Sequence, residues 1–307
     1  MRAPLRTLAA LCLALWLVPG GAEERHYLVG FAQDTLANDW RVAQVEEMAA
    51  ALAAHPEVEF VYTDAGGETA QQIMDIEDLV ARGVDVLVTS PRDAHALAPV
   101  VAMARARGIP VVLLTRRISG DTQSLFIGPD DRAIARRAAD YLAERLGERG
   151  RVLILQGVPT ATTAQQRTEG FLQAIAAHPG IQVVALKTAN YLRADAIRAV
   201  EETLAEGLEF DAIYAQSDSM ASGARLALRR AGIDPANLVI VGIDYITEAR
   251  EAIRHGEQEA SFTYPTCGRE GARYVLDLLH GRDVPREVTV ESQLVTRTNV
   301  ERVEPIF

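Results

Sequence analysis

The sequence predicts an α/β protein made of two doubly wound parallel-sheet lobes. Three observations carry that expectation. Short Val/Ile/Leu-rich runs alternate with amphipathic stretches, the pattern of strands buried on both faces and joined through helices. The same series starts afresh in the second half of the chain. Two segments also recur in register: Gly83-Val84-Asp85-Val86-Leu87 is echoed by Glu209-Phe210-Asp211-Ala212-Ile213, and Arg107-Gly108-Ile109 by Ala231-Gly232-Ile233, at offsets of 126 and 124 residues.

The first lobe opens with a strand at Tyr27–Ala32, followed by a helix from Asn38 to Ala54. A strand at Val58–Tyr62 leads to a helix over Thr69–Arg82, and Val84–Thr89 is a strand before a helix over His95–Arg107. Ile109–Leu114 is the next strand. The second series runs strand Arg151–Gln156, helix Thr163–Ala177, strand Gln182–Lys187, helix Arg193–Glu206, strand Asp211–Ala215, helix Met220–Ala231 and strand Leu238–Ile243. A parallel connection needs a crossover, so strand-helix-strand repetition builds a doubly wound sheet. Gly108 and Gly232 stand where a helix stop is expected.

Composition bounds the function. The chain has 307 residues, 49% apolar and 24% charged, with a net charge of −11. That is ordinary globular composition and enough chain for two cores. An acidic surface is repelled by nucleic acid and by anionic membranes, so neither is expected as a partner. The N-terminus reads as an address. Arg2 and Arg6 precede an 11-residue apolar run from Leu8 to Val18, shorter than the ~20 residues of a membrane helix. Pro19 ends it, and Gly20-Gly21-Ala22 offers small residues for cleavage before Glu23, so residues 1–22 are expected to be a secretory signal. Cys12 lies inside the apolar run after Leu11, which disfavours a lipid anchor there. Cys267 is then the single remaining cysteine, so neither an internal disulfide nor a Cys-rich zinc site is expected.

Ligands of open parallel sheets bind outside the carboxyl ends of the strands. That rule selects Gln33–Trp40, Ser90–Asp93, Thr115–Arg117, Gln156–Thr163, Asn190–Arg193, Gln216–Ser219 and Asp244–Thr247. Two lobes facing each other put these ends around one cleft. Its rings, amides, hydroxyls, Arg and Asp suit a neutral polyhydroxylated ligand. The chain has no G-x-G-x-x-G after the first strand, no Walker sequence, no H-E-x-x-H and no G-x-S-x-G, so no enzyme, cofactor or metal is expected. His55, His178, His255 and His280 fall at helix ends, where their charge suits the dipole.

The strand-end segments resemble the type I periplasmic sugar-binding proteins, in particular the ribose and galactofuranose group serving ABC transporters. The fragments are Gly30-Phe31-Ala32-Gln33 with Asn38-Asp39-Trp40-Arg41, Gly83 to Pro91, Arg107 to Val112, Leu155-Gln156-Gly157, Arg167-Thr168-Glu169-Gly170-Phe171, Tyr214 to Ala224 and Val241-Gly242-Ile243-Asp244. The resemblance implies two lobes joined by three crossovers near Gly128, Thr263 and Ser292, with residues 23–128 plus 264–291 in one lobe and 129–263 plus 292–307 in the other. It implies a monomer in the periplasm that closes on a sugar or sugar-like ligand. Its partner would be a membrane ABC permease or, alternatively, a sensor kinase or chemoreceptor.

Site roles follow from the same resemblance. Asn38 and Trp40 match first-loop positions that bond to and stack on the sugar. Arg41 matches a position that is basic in galactofuranose-type members. Arg116 matches the basic half of an Asp-Arg pair, Tyr191 a stacking ring of the second lobe, and Asp244 an acid that accepts two hydroxyls. Gln165 stands where ribose-type members carry an Arg, Ser217 where Asn is usual, and Thr263 where a Gln is found. Thr115, Gln165 and Ser217 depart from the pattern, which leaves a modified sugar, a furanose, a small polyol or a non-sugar signal open. Asp218 is read equally as a helix cap or a site residue, and Tyr264, next to Pro265 at a crossover, is left open.

Overall fold

A computed structural model describes residues 25–307. The expected secretory signal over residues 1–22 lies outside them. The chain folds into two six-stranded sheets. The first half contributes β1 (Tyr27–Gln33), α1 (Asp39–Leu52), β2 (Val58–Asp64), α2 (Thr69–Ala81), β3 (Val86–Thr89), α3 (Ala98–Ala106), β4 (Val111–Leu114) and β5 (Leu125–Gly128). Then come α4 (Asp131–Arg145), β6 (Gly150–Gln156), α5 (Thr162–Ile175), β7 (Ile181–Thr188), α6 (Arg193–Ala205), β8 (Ala212–Ala215), α7 (Asp218–Arg230) and β9 (Val239–Asp244). The chain closes with α8 (Thr247–His255), β10 (Ala260–Thr263), α9 (Gly268–Leu279), β11 (Glu287–Thr289) and β12 (Leu294–Thr296).

The sheets have matching orders, β11-β5-β4-β3-β1-β2 and β12-β10-β9-β8-β6-β7. Every pairing is parallel except β10 with β12, which is antiparallel. The chain passes between the sheets after β5, after β10 and after β11. The internal echo has a structural cause. Asp85 and Asp211 each precede a central strand, and each carboxylate accepts the backbone N–H that opens its neighbour, Leu28 and Arg151, at 2.8 Å in both lobes. Gly108 and Gly232 both end helices in the left-handed region, at φ 82° and 77°.

Several boundaries shift for local reasons. The strand expected from Ile109 begins at Val111, because Pro110 has no N–H to give the ladder. The helix expected from His95 begins at Ala98, because Asp93 Oδ1 first accepts the His95 and Ala96 N–H groups in a turn of its own. The central strands are fully buried, as a sheet covered on both faces requires.

Candidate functional site

The carboxyl ends of both sheets meet around one pocket lined by residues of both. Its wall is supplied by Asn38, Trp40 and Arg41 from the start of α1, Thr115 after β4, and Thr163 and Arg167 on α5. Tyr191, Ser217, Ser219, Asp244 and Tyr264 complete it. Backbone strain gathers at this rim. Thr115, Asn190, Tyr191, Asp244, Tyr245 and Cys267 are all non-glycine residues with positive φ, and all lie at strand ends or in the crossing next to the pocket. Such strain persists where the surroundings over-determine it, commonly at binding sites.

Six residues expected from the sequence are brought together here: Asn38, Trp40, Arg41, Tyr191, Ser217 and Asp244. Asn38 and Ser217 are also helix N-caps, accepting from Arg41 N at 2.9 Å and Met220 N at 3.3 Å. Asn38 Nδ2 reaches across to Tyr191 O at 3.4 Å. The Trp40 indole donates to Tyr264 O at 3.1 Å, and the Trp40 and Tyr264 rings lie 5.9 Å apart. The Tyr191 hydroxyl meets Thr163 Oγ1 at 2.9 Å, and a Cβ on Gly157 would overlap the Tyr191 ring, so glycine there is what lets the ring lie flat against the strand end.

Three expected residues do not line the pocket. Arg116 is buried behind it, with Nη1 2.7 Å from Asp34 Oδ2 and its guanidinium 5.5 Å from the Tyr191 ring centroid. Asp34, on the loop after β1, therefore supplies the acid that Thr115 lacks. Gln165 is half-buried and turned away, donating to Pro159 O at 3.1 Å. The guanidinium comes instead from Arg167, two positions on, which at about 100° per residue is nearly the opposite helix face. Thr263 Oγ1 accepts from Gln293 N at 2.8 Å, and its neighbour Tyr264 faces the pocket, as alternation in an extended chain dictates. Thr163 and Ser219 lie in segments that the strand-end rule selects, without a role of their own, while Tyr264 was left open and Arg167 had no site role from the sequence. Arg167 did stand in a quoted fragment, but inside an amphipathic helix a charge reads as solvated surface.

The charges are arranged in layers. Asp34 is fully buried among Arg116, Arg41 at 3.3 Å and Arg92 at 3.8 Å. Burial pushes its carboxyl up, but Arg116 and Arg41 outweigh that and hold it below the usual carboxylate range. Arg41 also donates to Ser90 Oγ at 2.7 Å and Gln44 Oε1 at 3.1 Å, and burial together with Arg116 lowers its pKa to about 10. Arg167 is paired with Asp131 at 2.7 Å and donates to Gln216 O; the Asp131 charge offsets its burial and keeps it protonated. Tyr264 OH donates to the other Asp131 oxygen at 3.2 Å.

Asp244 differs from these. Among the described residues no side chain hydrogen-bonds its carboxyl group, and the neighbouring Asp218 carboxyl disfavours its charged form. Burial pushes its pKa well above the carboxylate range, against the pull of Arg167. Asp218 itself is a brace outside the pocket wall, accepting from Ser261 Oγ at 2.5 Å, Tyr245 N at 2.6 Å and Gln258 Nε2 at 2.7 Å.

Two sheet lobes joined by three crossing segments, closed on a polar pocket walled by aromatic rings, define a bilobed solute-binding protein. The chain belongs to the periplasmic binding protein family: residues 29–283 match the model of a periplasmic binding protein domain. It is similar to the ribose import binding protein RbsB of Salmonella typhimurium, 32% identical over 240 residues, which are 77% of this chain and 80% of that one. Among solved structures it is similar to an ABC transporter solute-binding protein of Bacillus halodurans with bound myo-inositol (TM-score 0.86, 28% identical, covering 92% of this chain and 98% of that one). It is also similar to the fructose-binding periplasmic domain of a hybrid two-component system (TM-score 0.85, 30% identical, covering 90% and 92%).

Proposed function

We propose that this protein captures a neutral monosaccharide or small polyol in the pocket, closes its lobes over it and delivers it to a membrane ABC permease. The observation that carries this reading is Asp244, a buried carboxyl group without a side-chain hydrogen-bond partner among the described residues, facing a pocket walled by Trp40, Tyr191 and Tyr264. A carboxyl group so placed exchanges hydrogen bonds with ligand hydroxyls, and rings accept the C–H faces of a sugar. The ligand is neutral because the arginines already have partners, Arg41 and Arg116 on Asp34 and Arg167 on Asp131. In this reading Asn38, Trp40, Arg41, Tyr191, Ser217 and Asp244 contact the ligand, and Arg116 supports the wall from behind. Residues 23–128 plus 264–291 move as one body and 129–263 plus 292–307 as the other. Residues 1–22 are removed on export, and the protein acts in the periplasm as a monomer that binds without turnover.

Calorimetric titration with D-ribose, D-fructose, myo-inositol and xylitol tests this. One of them binds, and Asp244→Ala weakens it by roughly a hundred-fold or more, because ligand hydroxyls are left unpaired in a closed site. Failure of every neutral sugar and polyol to bind sinks the reading. The likeness to the fructose-binding sensor domain favours a second output, presentation of the closed form to a sensor kinase. Recovery of a permease or of a kinase on immobilised, ligand-loaded protein separates the two.

A further inference from the structure

Asp244 and Tyr245 are consecutive non-glycine residues with positive φ, 119° and 58°. Left alone, that corner would relax to an ordinary backbone and turn the Asp244 carboxylate elsewhere. It is held from two sides. Inside, Tyr245 N donates to Asp218 Oδ2 at 2.6 Å and Ser261 Oγ at 3.1 Å, and Tyr264 N donates to Asp244 O at 3.2 Å.

Outside, the last residues of the chain lie over the corner. The single Tyr245 hydroxyl proton is shared between Val303 O at 3.0 Å and Val300 O at 3.2 Å, and Ile306 N donates to Tyr245 O at 3.1 Å. Thr247 binds Phe307 O through both its N–H, at 3.0 Å, and its hydroxyl, at 2.6 Å. The Tyr245 ring is buried with Ile253, Val295 and Val300. Arg250 and Arg254 pair with Glu304 and Glu301 along the same seam. Tyr245 is fully buried and is not part of the pocket wall.

We infer that the segment 299–307 is a strap that holds Asp244 in its ligand-facing conformation, with Tyr245 as the positioning residue through which it acts. The inference rests on the reading of Asp244 as a ligand contact. It assigns a binding role to residues that touch no ligand. A strap that only stabilised the lobe would lower the melting temperature and leave the affinity of folded molecules unchanged.

The test compares the native protein with Tyr245→Phe, which removes the hydroxyl and keeps the ring, and with a chain ending after Val303. D-ribose, D-fructose, myo-inositol and xylitol are titrated well below the melting transition, and amide exchange is followed through residues 243–248. In both variants the affinity for whichever compound binds the native protein falls about ten-fold, and exchange through 243–248 rises. If Tyr245→Phe does not fold, the shortened chain carries the comparison. Affinity within about two-fold of native in the variants overturns the inference. Should no neutral sugar or polyol bind the native protein, the functional reading fails and the binding role of the strap fails with it. Exchange then reads only the hold on the corner: unchanged exchange through 243–248 shows that residues 299–307 do not fix it.

Discussion

Single side chains in this site do two jobs, and their second partners lie far away in sequence. Asn38 and Ser217 cap helices while facing the pocket, so the cap fixes the rotamer that the ligand would meet. Arg116 finds Asp34 82 positions away, a pairing that no local pattern announces. Asp218 carries a pH prediction. Burial pushes its carboxyl up to about 6, with Ser261 and Gln258 pulling it back only in part. An unfolded Asp titrates near ~3.9, so the folded state holds this proton more tightly than the unfolded state. That contribution to stability is complete below about pH 4 and is lost as pH rises through about 6, on the order of 3 kcal/mol. Denaturant unfolding of native protein and Asp218→Asn should therefore show a stability difference that shifts against the native protein between those two pH values. A difference independent of pH would refute the assignment.

Among the elements, α7 is constrained at two places, because its N-cap Ser217 and first-turn Ser219 face the pocket while its middle lies against α6. Gly223 makes that approach possible: a Cβ there would collide with Arg193 O and Ala196. Gly223→Ala is expected to force the helices apart at a cost of about 1–3 kcal/mol, and to weaken ligand binding as the first turn of α7 shifts. A thermal melt and a titration on one sample check both; native values in each would show that the neighbours give way. The strands and helices from β1 to β4 and from β6 to β9 were legible from the sequence because buried parallel strands read as apolar runs. β5, α4, α8, β10, α9, β11 and β12 were given no bounds. β11 and β12 have three residues each, too few to show a period, and α9 starts from Cys267 in a left-handed conformation that no residue type signals.

At the scale of the molecule, the two lobes of the described structure touch directly. Thr160 Oγ1 donates to Arg92 O at 3.0 Å, Ala94 N to Thr160 O at 3.3 Å, and Arg117 N to Thr162 Oγ1 at 2.9 Å, all from one lobe to the other. These few bonds are exposed or part-buried and weak individually, so under the proposed hinge closure a ligand that touches both lobes would shift the balance between open and closed forms. Small-angle scattering is expected to show a smaller radius of gyration at saturating ligand, and identical profiles would contradict hinge closure. The sequence by itself determined the α/β class, the repeated lobe and the strand ends that carry the site, because burial on both faces and the crossover rule leave a periodic record along the chain. Only the tertiary structure decided which side chains meet. It selected Arg167 over Gln165 and Tyr264 over Thr263, gave Arg116 its acid in Asp34, and laid residues 299–307 against Tyr245. Those choices depend on the angular position of a side chain on its element and on contacts across the whole chain, and neither is written in local periodicity.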